Sequence, residues 1–295
     1  MKRIGFWLAK AVAYGIAITP FCLLYLRSDI YAFFMYHVVR YRRKVVRDNL
    51  VKSFPEKTPQ EIKKIEKHFY RDFCDFFVES CKLLTVKPAA LKKRVTVTNP
   101  EVMRELYEKK KSVFMAMHHS GNWEWLWKVM DEVSPHHPCA IYKKFKNHYF
   151  DDLVLYARTN HADVADGLIE DKDTLRGLRA RKGNLDAIYI LSDQSPRGLK
   201  TDYWTEFLHR DTCWFTGLEK LAKIFDYPVV YVENVRVKRG HYRVTFKTIT
   251  ENPQQTEDGF IMEQYVRSIE RFIHENPDNW LWSHRRWKRT RQTEG

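Results

Sequence analysis

The amino-acid sequence predicts an α/β protein: a mixed, mostly parallel sheet flanked by helices, preceded by an N-terminal hydrophobic, membrane-anchoring helix. Three observations carry that expectation. From residue 112 onward, short apolar runs of strand length alternate with amphipathic stretches of helix length, the pattern of strands joined by helical crossovers. Residues 58–84 carry apolar side chains at helical spacing. Residues 4–26 are mostly apolar, long enough to cross a bilayer.

The elements follow in order. Lys10 and Pro20 interrupt the first apolar stretch, and a shorter one follows at 30–39. Five arginines and lysines then fall within residues 40–47, a cluster of the kind that anionic headgroups attract. Such clusters tend to stay on the cytoplasmic side. Residues 1–40 are therefore expected to anchor the chain, as one crossing or an embedded hairpin, and 41–295 to form a domain facing the cytoplasm. In 58–84, Thr58 suits the N-cap and Pro59 the first helical position, with Ile62, Ile65, Phe69, Phe73, Phe76 and Phe77 as an apolar stripe read as packing. Strands are predicted at 112–118, 139–142, 186–193, 228–237 and 241–249, the last two as an antiparallel hairpin. Helices are predicted at 122–133, 148–159, 171–182, 216–226 and 259–276.

With 44% hydrophobic residues the chain has ample material for a core, which excludes a disordered polypeptide. The 51 Lys and Arg against 37 Asp and Glu leave a net charge of +14, favouring an anionic partner: nucleic acid, a lipid surface or an acidic protein. Five cysteines without a C-x-x-C pair read as reduced core residues in a reducing compartment.

In open α/β sheets, sites form at the carboxyl ends of strands. Two polar clusters fall there, "HHSGNWE" at 118–124 and "SDQSPRG" at 192–198. On one continuous helix His119 and Glu124 would lie about 140° apart. They converge only if the histidine sits on the strand-to-helix turn and the glutamate in the first helical turn. Gly121 permits such a turn and Asn122 suits the N-cap. A glutamate bonded to one ring nitrogen would leave the other as a base toward a hydroxyl, and backbone N–H groups of the turn could steady an oxyanion. There is no H-E-x-x-H or G-x-S-x-G spacing, so metal and serine-hydrolase chemistry find no motif.

"HSGNWE" resembles the H-x-x-x-x-(D/E) signature of the glycerolipid and lysophospholipid acyltransferases. Four segments in order, 41–58, 119–125, 192–198 and 276–291 with its W-x-W-x-H-R-R-W-K, resemble the bacterial lipid A biosynthesis acyltransferases, the late lauroyl/myristoyl transferases. The resemblance implies a glycerolipid acyltransferase-like fold with His119 as general base and Glu124 as its orienting partner. It implies an acyl–acyl-carrier-protein donor, no cofactor, a lipid A precursor as acceptor, and an inner-membrane location among anionic lipids. Asp193, Gln194 and Arg197 match a second family block loosely, being shorter by two residues, and are expected to position substrate. Arg197, Arg285 and Arg286 are the expected headgroup cations, with Asn122 and Lys143 as further substrate contacts; Lys143 stands where many members carry arginine. A lysophospholipid or an amino-acid-containing lyso-lipid is the alternative acceptor. Nucleic-acid binding would account for the charge but give the His–Glu turn no purpose, and no nucleic-acid partner is expected.

Overall fold

The computed structural model describes residues 2–159, 167–196, 203–289 and 291. Its elements are α1 (Lys2–Ile18), α2 (Phe21–Phe33), α3 (Arg43–Ser53), α4 (Pro59–Lys82), α5 (Pro88–Lys92), β1 (Val95–Val97), α6 (Glu101–Glu108), β2 (Val113–Met117), α7 (Trp123–Val133), β3 (His137–Tyr142), α8 (His148–Thr159), β4 (Leu168–Glu170), α9 (Thr174–Ala180), β5 (Asp186–Leu191), β6 (Tyr203–Phe207), β7 (Arg210–Trp214), α10 (Gly217–Phe225), β8 (Val229–Lys238), β9 (His241–Thr250) and α11 (Phe260–Glu275).

Seven strands form one sheet in the order β1-β9-β8-β2-β5-β3-β4. Every pairing in it is parallel except the β8–β9 hairpin. Strand β2 lies in the middle and is buried along its whole length. Its side chains alternate between two cores. Phe114 and Ala116 face the layer of α3, α4, α10 and α11, while Val113, Met115 and Met117 face α5, α6 and α7. Thr58 and Glu61 close a capping box that starts α4 where the sequence places it.

The expected bilayer-crossing helix does not form. Pro20 has no N–H and crowds Thr19 out of the helical region, so the apolar stretch breaks into α1 and α2. Among the described residues no helix is long and apolar enough to cross a membrane. Both helices instead lie along α4. Lys82 Nζ and Thr85 Oγ1 donate to the Ala17 carbonyl (2.6 and 2.7 Å), Tyr25 donates to Glu79 (2.8 Å), and Asp29 accepts from Arg71 and Arg239. Their outer faces leave Trp7, Leu8, Val12, Leu23, Leu26 and Phe33 exposed.

Four strands escaped the sequence reading. β1 and β4 are three residues each, too short for a period of two to register. The β6–β7 hairpin turns through Leu208 and His209, both at positive φ, with no glycine or asparagine to announce it.

Candidate active site

The register of two neighbouring strands builds the site. β2 and β5 run parallel with Met117 opposite Leu191. Two residues further on, each chain leaves the sheet with His119 on one strand and Asp193 on the other, so the pair emerges side by side. Tyr265 of α11 ties the two ends together: its hydroxyl donates to the Met117 carbonyl (2.5 Å) and accepts from the Ser192 N–H (3.2 Å).

Beyond β2 the chain bends at Gly121, whose φ is +55°. A side chain there would press on the Asn234 carbonyl at 2.9 Å, so both the conformation and the space call for glycine. Asn122 then caps α7, its side chain accepting from the Trp125 N–H at 3.0 Å.

His119 Nδ1 lies 2.6 Å from Asp193 Oδ1. Asp193 Oδ2 accepts from the His119 N–H (3.1 Å) and from Trp280 Nε1 (2.9 Å). Burial by itself would raise the pKa of Asp193, yet the adjacent imidazole and these hydrogen bonds outweigh it and hold the carboxyl well below the usual carboxylate range. An ionised Asp193 only accepts, so His119 carries its proton on Nδ1 and presents a bare Nε2. That nitrogen faces the Gln194 amide at 3.3 Å, and the ring edge rests on Trp123.

The neighbouring His118 is a different kind of residue. It is buried, stacks on Tyr231 and bonds its hydroxyl at 2.8 Å. Burial drives its pKa down to about 4, so it stays neutral behind the site.

Glu124 does not meet His119. Both its oxygens are taken by Arg158 of α8, at 2.6 and 2.8 Å. The expected His119–Glu124 pair is therefore replaced by His119–Asp193, because a parallel register brings Asp193 to the ring while α7 carries Glu124 toward α8. Asn122 is buried: its amide donates to Glu79 at 2.8 Å as well as capping α7, so it faces no substrate. Arg286, expected at a headgroup, is also buried, donating to the Cys213 carbonyl (2.7 Å) and stacked on Trp214. Lys143 and Arg285 are exposed and do not line the cavity described next. Arg197 lies outside the described residues.

His119 and Gln194 open on a cavity of about 340 Å³. One wall is the aromatic stripe of α4, Phe69, Phe73, Phe76 and Phe77, extended by Trp123, which stacks on Phe76 at 4.0 Å. Polar side chains line it too: Arg42, Asp72 of α4, Arg236, Asn279 and His284. Arg236 is neutralised by Asp72 and Asp75, whereas Arg42 donates to the Ser283 carbonyl (3.1 Å) and among the described residues pairs with no carboxylate. The sequence carried a signal for the aromatic wall, phenylalanine packed densely along 69–77, a stripe expected to be core or membrane-facing packing. Arg42 falls within the basic cluster at 40–47 and Asn279 within the segment 276–291, but neither was singled out as a cavity residue. Trp280 and Trp282 are buried, and Trp280 helps hold Asp193.

Glu79 forms the floor behind the turn. Fully buried, it accepts from Tyr25 (2.8 Å), Tyr242 (2.6 Å) and Asn122. Burial raises its pKa to about 7 against the pull of these three donors.

A histidine held by a buried aspartate thus sits at the mouth of an aromatic-walled cavity, at the carboxyl ends of two neighbouring parallel strands. Residues 1–289 match the family model of the bacterial lipid A biosynthesis acyltransferases, and the chain belongs to that family. A comparison with curated proteins gave no match.

Proposed function

We propose that the protein transfers a fatty acyl chain from an acyl–acyl-carrier-protein thioester to a hydroxyl of a lipid A precursor, at the cytoplasmic face of the inner membrane. The observation that carries this reading is the bare Nε2 of His119 at the mouth of the α4 aromatic cavity. The acyl chain lies along Phe73, Phe76 and Phe77, burying its methylenes, while Arg42 offers a cation to phosphate on donor or acceptor.

In the reaction, the acceptor hydroxyl displaces Gln194 from Nε2 and gives its proton to that nitrogen as its oxygen attacks the thioester carbonyl. Asp193, ionised and buried, stabilises the imidazolium. The oxygen–carbon bond forms, the carbon–sulfur bond breaks, and the imidazolium returns the proton to the departing thiolate. No covalent enzyme intermediate and no cofactor are needed.

The exposed apolar faces of α1 and α2, next to the basic cluster at 40–47, suit a protein that lies in the membrane surface rather than crossing it. The test is His119→Ala in a cell whose lipids are then resolved by mass spectrometry. Loss of one acyl chain from lipid A is the expected result. An unchanged lipid A overturns the acceptor, and a change confined to phospholipid or aminolipid reassigns it.

A further inference from the structure

An acyl transfer needs donors for the oxygen that becomes negative at the thioester carbonyl. The catalytic turn does not supply them from its first three amides. The N–H of His119 is held by Asp193, that of Ser120 by the His118 carbonyl (2.8 Å), and that of Gly121 by Asn279 Oδ1 (3.0 Å). Gln194 is turned toward His119. With these groups engaged, a side chain on the cavity wall is the next place to look for a donor to the carbonyl.

His284 is placed to do so. It lines the same cavity as His119 and Gln194, and its backbone is fixed by Asn49, which donates to its carbonyl at 3.0 Å, and by its own N–H to the Leu281 carbonyl (3.0 Å). Its Nδ1 is sealed in the protein with no partner among the described residues. A buried N–H without an acceptor is rarer and costlier in proteins than a bare lone pair, so the ring proton belongs on Nε2. With Nδ1 sealed, Nε2 is the polar atom of the ring left to the cavity. Burial, foremost, lowers the ring's pKa to about 4, so the imidazole is neutral at cellular pH and acts as a donor, not as a second base.

The geometry points to His284 Nε2–H as a catalytic hydrogen-bond donor to the thioester carbonyl oxygen, in the cavity that His119 also lines. This rests on the acyl-transfer reading above. No charge is taken up by His284: the N–H bond stays intact while the carbonyl oxygen gains and then loses negative charge.

The experiment measures acyl transfer by the purified full chain from an acyl–acyl-carrier-protein to a lipid A precursor. Wild type and His119→Ala come first; a wild type without transfer refutes the acyl-transfer reading itself, and the remaining arms apply to an active wild type. His284→Phe keeps the ring volume and removes the donor, and is expected to lower kcat by about 10²-fold with KM little changed. His284→Gln, whose amide N–H reaches to a similar place, should run at least tenfold faster than the phenylalanine variant. In His284→Ala, added imidazole should restore turnover at least tenfold, while 1-methylimidazole, which has no N–H, should not. A phenylalanine variant within threefold of wild type overturns the assignment. So does equal loss in Phe and Gln, a loss confined to KM, or equal response of the alanine variant to the two imidazoles. If the phenylalanine variant fails to fold, the glutamine and alanine arms decide.

Discussion

Replacing Asp193 by asparagine changes almost no volume but breaks the logic of the pair. Asp193 accepts three N–H groups: Nδ1 and the backbone amide of His119, and Nε1 of Trp280. Asparagine has one oxygen and one NH2 for those places. With its oxygen toward Nδ1, the NH2 would meet two buried donors, leaving both unsatisfied at about 2–6 kcal/mol in total. The opposite orientation wins: the oxygen serves the amide and Trp280, and the NH2 points at Nδ1. His119 must then accept at Nδ1 and move its proton to Nε2, where it no longer takes one from a hydroxyl. Loss of the correct tautomer and of the buried charge opposite the imidazolium is expected to lower kcat by about 10³–10⁴-fold, roughly 4–5.5 kcal/mol of transition-state stabilisation. Initial acyl-transfer rates read by mass spectrometry, with a thermal melt to show that Asp193→Asn is folded at the assay temperature, check this. A folded variant within tenfold of wild type would sink the assignment of Asp193 as the orienting group.

Glu124→Gln tests the alternative pairing. It strips the charge partner from Arg158 in a largely buried ion pair, side chains 20% and 15% exposed, and is expected to cost about 2–3 kcal/mol, a melting shift of roughly 5 °C, while kcat below the melt stays within tenfold. A collapse of kcat without a melting shift would return Glu124 to the chemistry. Glu79 makes stability depend on pH. Its pKa of about 7 in the fold exceeds the ordinary 4.5, so its contribution is fully present below about 4.5 and is lost as pH rises toward 7, by about 3 kcal/mol. The sign follows because the folded state then holds more protons than the unfolded one. Urea melts of wild type and Glu79→Gln across pH 4.5–7.5 should diverge by that amount, wild type falling relative to the variant; parallel curves contradict it.

Much of the fold was legible because it rests on local chemistry. Thr58-Pro59 with Glu61 starts α4, Gly121-Asn122 turns the chain into α7, and the alternation of apolar runs places β2, β5 and the β8–β9 hairpin. Those signals span a few residues and depend on steric and hydrogen-bonding preferences that each segment carries by itself. His119 was legible for the same reason: it stands at a strand end before a glycine turn.

Its partner was not, and the reason is register. Glu124 is five residues away in sequence but turns on α7 toward Arg158, while Asp193, far along the chain, is delivered to Nδ1 by the pairing of Met117 with Leu191. Burial likewise reassigned residues that composition could only type: Asn122 and Arg286 lie inside, and Trp280 holds Asp193. The apolar N-terminus was read by length, yet Pro20 and the hydrogen bonds to Ala17 and Tyr25 lay it along α4. The sequence alone determined the class of fold and the family, and marked His119 as a strand-end residue before a glycine turn. Which carboxylate meets that histidine, which aromatics wall the cavity and which cations face it were decided by tertiary structure, because strand register and burial are set by contacts between segments that carry no mark of each other.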